Sequence, residues 1–460
     1  LAFFGMATYS YRGRYTINGT LRYEGSNMLG KSRQARWLPT WNVSGSWNAH
    51  EENWWAPTFG KAWTYASLKA SYSLTADRGP ASNSLAVFQS FTPWRPSTSA
   101  NESAIILAAL ENSELTYEKK HELNIGVALG FVDNRINVEF DWYRRNNFDL
   151  IGYTQTMGVG GVTTKLANDA TMESTGCEFT ISTTNIKTKD FKWTTDWIFG
   201  WAENTITKLD SRSQVYSLVN GVGRTEGRPI GALYSIPFAG LTEEGLPTFF
   251  IDAEHTQVVG PGNYAAIYFQ EYENIDYLKY EGTIDPKITG SFGNTFSWKG
   301  LKLNVFFTYS FGNVLRLDNL CPVYSSDYSD LTASMKEMKN RWMVPGDENV
   351  TTIPSIPTVR QMREIDALNN AYSAYNYSTE RVAKGDFIRL KELSLAYDLP
   401  KKYFEGQNAV SSFGVKLSAT NLWLAYADKK LNGRDPEYYN SGGVSSPVPR
   451  QFTLTVKLGF

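Results

Sequence analysis

Arg450-Gln-Phe-Thr-Leu-Thr-Val-Lys-Leu-Gly-Phe460 is the stretch on which the fold turns. In an extended chain Phe452, Leu454, Val456, Leu458 and Phe460 share one face, and Thr453, Thr455, Lys457 and Gly459 share the other. One face is wholly apolar and the other is polar or small, with the alternation unbroken to an aromatic carboxy-terminus. A half-buried strand of a soluble β protein would read the same way, so the remaining strands decide.

They repeat the pattern. Tyr15, Ile17, Gly19, Leu21 and Tyr23 alternate with Arg14, Thr16, Asn18, Thr20, Arg22 and Glu24. The same split appears in Trp41 to Trp47, Leu68 to Leu74, Leu123 to Phe131, Ile136 to Trp142, Cys177 to Ile181 and Phe191 to Trp201. It recurs in Ile288 to Trp298, Leu301 to Phe311, Phe387 to Tyr397, Phe413 to Ala419 and the last strand, for about thirteen strands in all. Ten or so residues is the length a tilted strand needs to cross a bilayer. Aromatics make up 14% of the 460 residues while the mean hydropathy is only -0.36, which suits strands with one lipid face, one wet face and aromatic girdles. No run reaches the roughly 20 apolar residues of a spanning helix, so a membrane reading must be a barrel. The expected fold class is all-β, a transmembrane antiparallel barrel.

The connections alternate in length. Short links at 12–14, 132–134, 186–190 and 299–300 interleave with long ones at 77–116, 148–171, 205–285, 313–384 and 426–449. Bacterial outer-membrane barrels have short periplasmic turns and long external loops, which places the carboxy-terminus in the periplasm and the long loops outside as a structured crown. Leu331, Met335 and Met338 have helical spacing and predict a short helix in the longest connection. Counting back through about thirteen strands puts the first strand's start outside the cell. Barrels of this class take even strand numbers, so preceding strands are expected before Leu1. Leu1 to Arg12 has no basic leader and reads as a strand entered midway.

The ordered motifs then carry a resemblance. Thr20-Leu-Arg-Tyr-Glu-Gly-Ser26 with Trp37-Leu-Pro-Thr-Trp41, Tyr117-Glu-Lys-Lys-His-Glu-Leu-Asn-Ile-Gly126, Asn134-Arg-Ile136 with Asp141-Trp-Tyr-Arg144, and Arg341-Trp342 with Pro345-Gly-Asp-Glu-Asn349 form its first part. Phe387-Ile-Arg-Leu-Lys-Glu-Leu-Ser-Leu-Ala-Tyr-Asp-Leu-Pro400, Asn421-Leu422 and Asp435-Pro-Glu437 complete it. In order and spacing they resemble the carboxy-terminal half of SusC/RagA-type TonB-dependent transporters. The resemblance implies the carboxy-terminal part of a 22-stranded barrel, with an amino-terminal plug and the first strands lying outside this chain. It further implies a SusD-like surface lipoprotein as lid, TonB acting through the absent amino-terminal part, contact with the lipid bilayer and lipopolysaccharide, and room for a dimer of the two-protein complex. The expected function is active import of a large nutrient, glycan or oligopeptide, across the outer membrane of a Gram-negative bacterium. The alternatives are a non-transporting scaffold in an outer-membrane assembly machine, an ungated porin, and a secreted β-rich binding protein.

Chemistry is sparse. His50, His121 and His255 have no ligand spacing, so no metal is expected. Gly158-Val-Gly-Gly161 lacks the strand-to-helix context of a phosphate cradle, and Glu51-Glu52 and Glu243-Glu244 read as solvated charges. Without a positioned nucleophile or base the chain is not expected to be an enzyme, and no cofactor is implied. A net charge of -1 with no basic stripe argues against nucleic acid. Cys177 and Cys321 are the only cysteines, and whether they pair is open. Trp94, Tyr324 and Tyr328, on external loops, are the candidates for ligand or lid contact. Trp54 and Trp55 read as girdle residues, the Trp193, Trp197 and Trp201 stripe as lipid-facing, and Arg22, Arg135, Glu139, Asp141 and Lys192 as lumen groups that satisfy one another or hold the plug.

Overall fold

The computed structural model describes residues 1–60, 62–79, 84–92, 103–158, 161–320, 336–400, 411–439 and 449–459. Within them one antiparallel sheet of 13 strands takes its strands strictly in chain order. These are β1 (Ala2–Tyr11), β2 (Tyr15–Gly25), β3 (Trp37–Asn48), β4 (Trp63–Asp77), β5 (Glu118–Phe131), β6 (Ile136–Gln155) and β7 (Thr164–Lys187). They continue with β8 (Phe191–Leu209), β9 (Ile288–Trp298), β10 (Leu301–Phe311), β11 (Phe387–Asp398), β12 (Ser412–Ala427) and β13 (Gln451–Gly459). Each pairs with its sequence neighbour, and β1 and β13 stand at opposite ends of the order. The expectation of about thirteen strands holds.

The turns at one end are set by left-handed backbone. Arg12 and Gly13 (φ 52° and 69°) close β1 onto β2, and Lys299 and Gly300 (φ 45° and 90°) close β9 onto β10. Positive φ at both central residues gives a hairpin the twist of its strands. Between β5 and β6 even Val132 is left-handed, followed by Asp133 and Asn134, at φ 52°, 54° and 58°. A β-branched residue resists this conformation. It is held by ties to the neighbouring strand: Val132 N–H donates to the Ala62 carbonyl at 3.0 Å and Asp133 N–H to Thr64 Oγ1 at 3.0 Å.

At the other end one connection is shorter than its sequence suggests. The stretch 148–171 is mostly strand: β6 runs on to Gln155 and β7 begins at Thr164, leaving only 156–163 between them. Register shifts at Asn147, Leu150 and Ile151 bend this long ribbon as it leaves the wall. The helix expected around Leu331, Met335 and Met338 also differs. Lys336–Asn340 is a 3-10 turn, residues 331–335 lie outside the described set, and the helices of this connection are Val359–Glu364 and Leu368–Asn376. Thr358 and Gln361 form a reciprocal capping box on the former.

Among the described residues the wall buries only small clusters near its two rims, such as Ala66 with Trp55 and Ile151 with Leu29 and Leu115. On β13 the apolar face is bare, with Phe452 69% and Leu454 66% exposed, and Ile17, Val43, Leu68, Ile125, Phe140 and Phe292 are exposed on the strands before it. No second sheet covers these residues within the described chain, which removes the soluble-sandwich reading. No helix among the described residues is long and apolar enough to cross a membrane. The main core lies instead in the connections. Val215, Leu218 and Val219 pack with Phe249, Val259, Tyr264 and Ile267, and with Leu320, Leu368, Ala371, Tyr372 and Tyr375 from the later connection. Each large side chain so buried contributes about 1.5–3 kcal/mol, so residues 210–287 pack with 312–320 and 336–386 as one crown. Two short antiparallel pairs, Ala232–Ser235 with Lys279–Thr283 and Val314–Arg316 with Val382–Lys384, stand where the chain enters and leaves the wall strands β9, β10 and β11.

Candidate functional site: lumen wall and crown

The polar face of the wall is a chain of paired charges. On β5 and β6, Glu122 is ion-paired with Lys120 at 2.8 Å and with Arg145 at 3.1 Å, accepts from Arg145 Nη2 at 3.4 Å, and the Arg145 guanidinium lies 4.0 Å from the Tyr143 ring centre. Tyr143 can lie flat there because Gly176 faces it on β7; any Cβ at Gly176 would collide with the phenol. Asp196 accepts from Ser182 at 2.7 Å, and Arg22 pairs with Glu24 at 2.5 Å. Arg135 is a correction. It sits at the hairpin end, donating to the Thr184 and Asn185 carbonyls at 3.0–3.3 Å, and stitches β6 to β7. Nearer the carboxy-terminal strands, Thr295, Lys302, Asn304, Glu392, Ser394 and Lys416 line a polar recess of about 450 Å³, where Lys416 reaches Glu392 at 3.2 Å.

The crown holds a second recess of a different character, about 400 Å³, lined by Gln214, Tyr216, Phe269, Gln270, Asn370 and Tyr377 among others, with no charged side chain among its lining residues. Tyr216, Phe269 and Tyr377 meet edge to face with centroids 5.9–6.4 Å apart. Burial, and after it the neighbouring Tyr216 hydroxyl, pushes the Tyr377 phenol up to about 12. Rings and amides without net charge suit a neutral polar chain, stacking on its apolar faces and bonding its hydroxyls or amides. Behind this recess Arg316 is the crown's keystone. It donates to Ser235 Oγ at 3.1 Å and to the carbonyls of Ser378, Val219 and Tyr234. Burial lowers its pKa to about 10, with Glu281 opposing that shift.

Two of the quoted motifs have local jobs. Trp342 Nε1 donates to Glu348 at 3.0 Å while Asp347 accepts from the Met343 and Val344 N–H groups at 2.9 and 3.0 Å, so Arg341-Trp342 and Pro345-Gly-Asp-Glu-Asn349 fold as one knot. Its indole lies on Gly245 (φ 75°), where a side chain would strike the ring. Tyr23 stacks on Trp37 at 5.0 Å, which joins the first two quoted segments.

Of the candidate contact residues, Trp94, Tyr324 and Tyr328 all lie outside the described residues. Tyr216, Phe269 and Tyr377 carry no signal in the sequence, because they lie in two different connections with β9 and β10 between them, the first and last 161 positions apart, and nothing local marks them. His50 bonds the Ala66 carbonyl at 2.9 Å, His121 is stacked between Tyr72 and Phe148, and His255 lies on Phe250. Among the described residues no three His, Cys, Asp or Glu converge on a metal position, and Cys177 is a free thiol.

No family model matches the chain. Among curated proteins it is 26% identical to TonB-dependent receptor P3 of Formosa agariphila, covering 99% of this chain and 45% of that protein. It is 27% identical to TonB-dependent receptor SusC of Bacteroides thetaiotaomicron over 45% of this chain and 21% of that one. Among solved structures, the RagAB peptide transporter superposes with a TM-score of 0.75 at 22% identity, over 100% of this chain and 47% of the matched one. The closed-closed state of the RagAB peptide importer gives 0.76 at 23% identity, again over 100% and 47%. The chain thus spans a little under half the length of the relatives that match it end to end.

Proposed function

We propose that this relative of the SusC/RagA-type TonB-dependent transporters is the carboxy-terminal barrel part of an outer-membrane importer for a large neutral nutrient, a glycan or an oligopeptide. The observation that carries the reading is the two-sided wall: an apolar face left bare, a polar face of paired charges, and a separately packed crown at the long-connection end only. That asymmetry supports an orientation with the crown outside the cell and the end of β13 in the periplasm. Relatives about twice as long, and the unpaired outer edges of β1 and β13, support further strands and a plug completing the barrel. A SusD-like lipoprotein seats on the crown, and TonB, engaging the plug, supplies the energy.

The test is uptake and copurification. Cells carrying the complete protein take up the nutrient only while TonB is present, and a single lipoprotein copurifies in detergent. Replacing residues 214–276 by a short linker abolishes that copurification and leaves the wall folded. Uptake independent of TonB would make the protein a porin; several unrelated copurifying subunits without uptake would make it a scaffold. Either result defeats the importer reading.

A further inference from the structure

The connection 49–62, between β3 and β4, turns at the short-link end yet is not simply a turn. It folds back against the outside of the wall. Trp55, 5% exposed, packs with Ala49 and Ala66 and against Trp47, Trp63 and Leu129. Ala66 and Leu129 are cross-strand partners on the apolar face, in line with Leu68, Ile125 and Val127, so the segment covers the side of the wall that faces away from the lumen. It is fixed there: Trp55 Nε1 donates to the Trp63 carbonyl at 2.8 Å, its ring lies 4.8 Å from Trp63, and Trp63 stacks on Phe131 at 5.7 Å.

Anchoring at one flank leaves the other bare. Trp54, just before helix Trp55–Phe59, is 48% exposed and Phe59, at its end, 36%, their rings 6.4 Å apart, with Phe59 resting by one edge on Trp63 at 5.6 Å. Beside them Glu52 marks a water boundary: it accepts from Tyr15 Oη at 2.5 Å and from Trp47 Nε1 at 3.3 Å, and Arg14 reaches it at 3.2 Å. Tyr15 and Trp47 are the last apolar-face residues of their strands before the turn, so polar tips meet charge where hydrocarbon must end.

We propose that residues 49–60 are a membrane-interface foot, and that Trp54 and Phe59 insert among the lipids of the inner leaflet at headgroup depth. The occupant is the bilayer because the patch is continuous with the lipid-facing band through Trp55, Trp63 and Leu129. The inference rests on the barrel reading of the wall. Aromatic side chains on a short rigid helix, held flat against the barrel, brace the periplasmic rim and fix its depth.

Lipid contact is read with spin labels on the full chain in phosphatidylethanolamine and phosphatidylglycerol nanodiscs, in a Cys177→Ser, Cys321→Ser background. Labels at Phe59→Cys and at Val43→Cys, the mid-band control, collide with oxygen in preference to a water-soluble nickel chelate, and a label at Glu51→Cys shows the reverse. Nickel access at 59 with lipid access at 43 overturns the foot and leaves the barrel standing. Nickel access at both overturns the barrel reading and the foot with it. Should the label at 59 disturb folding, Trp54→Ser decides: quenching of tryptophan emission by lipids brominated close to the headgroup falls relative to the unaltered chain. Equal quenching overturns the proposal.

Discussion

Arg389 on β11 holds Asp435 of the 428–450 connection by a direct ion pair, with Glu437 3.2 Å from the same nitrogen, and the arginine side chain is only 4% exposed. The two segments, 46 residues apart, are the Phe387-Ile-Arg-Leu-Lys-Glu-Leu-Ser and Asp435-Pro-Glu motifs, so a pair of separate sequence signatures is one structural tie. Asp435 also caps the turn Pro436–Tyr438 by accepting from the Glu437 N–H at 3.1 Å. The arginine therefore fixes a loop that fixes itself.

Arg389→Ala leaves a buried carboxylate without its partner and costs about 3–5 kcal/mol. Arg389→Lys recovers only part of this, since it keeps the charge but its ammonium ends nearer the backbone than the single guanidinium nitrogen that meets both carboxylates. Thermal unfolding in detergent measures the loss, and protease nicking within 428–450 shows where it falls.

Gly290→Ala destabilises the wall by about 1–3 kcal/mol, because its Cβ would meet the Ile198 carbonyl and the Tyr309 hydroxyl. Tyr309 lies across that glycine, donating to Ile198 O and accepting from Trp197 Nε1, both at 2.9 Å. Tyr309→Phe loses these bonds and costs about 1 kcal/mol. The temperature at which the folded band disappears from an unboiled gel ranks the variants: unaltered, then Tyr309→Phe, then Gly290→Ala.

Gly245→Ala should harm the crown and spare the wall. It combines a left-handed backbone with contact against the Trp342 ring, and Trp342→Ala, opening the same knot, costs about 3–5 kcal/mol. Limited proteolysis should cut within 210–287 and 312–386 first, while the strand signal in circular dichroism stays.

Alkali should loosen the crown. Burial raises the phenol pKa of Tyr277 and of Tyr377 to about 12 from 10.0, so between those values the folded chain keeps protons that the unfolded chain has lost. Stability is therefore fully present below about 10 and falls as pH rises through 12. Tyrosinate absorbance should show a late class of phenols, and Tyr377→Phe should shrink it.

The wall was legible because a period of two repeats wherever one face meets lipid and the other water. The outer ends of β6 and β7 were not. Beyond Asn146 register shifts that skip Phe148, Asp149 and Asp169 break the period of two, and one side buries Ile151 with Leu29, Leu115 and Tyr117, so Asn147 and Asn168 look like loop although they continue the ladder. The crown was legible only as length. Its core joins Val215 to Tyr375 across two connections, and contacts that distant leave no period. Leu368, Ala371, Tyr372 and Tyr375 did carry helical spacing, muted by the poor helix formers Asn369, Asn370, Ser373 and Asn376. The aromatic recess had no local mark, and Trp94, Tyr324 and Tyr328 fall outside the described residues.

A head that seals itself with grease and staves that seal themselves with amide ladders owe each other little. Drift within the head need only keep its own interior filled, so such a molecule can be readdressed to new cargo while the staves beneath it stay unchanged. The same split means it breaks in two ways: chaotropes dissolve the head, and loss of lipid unseats the staves.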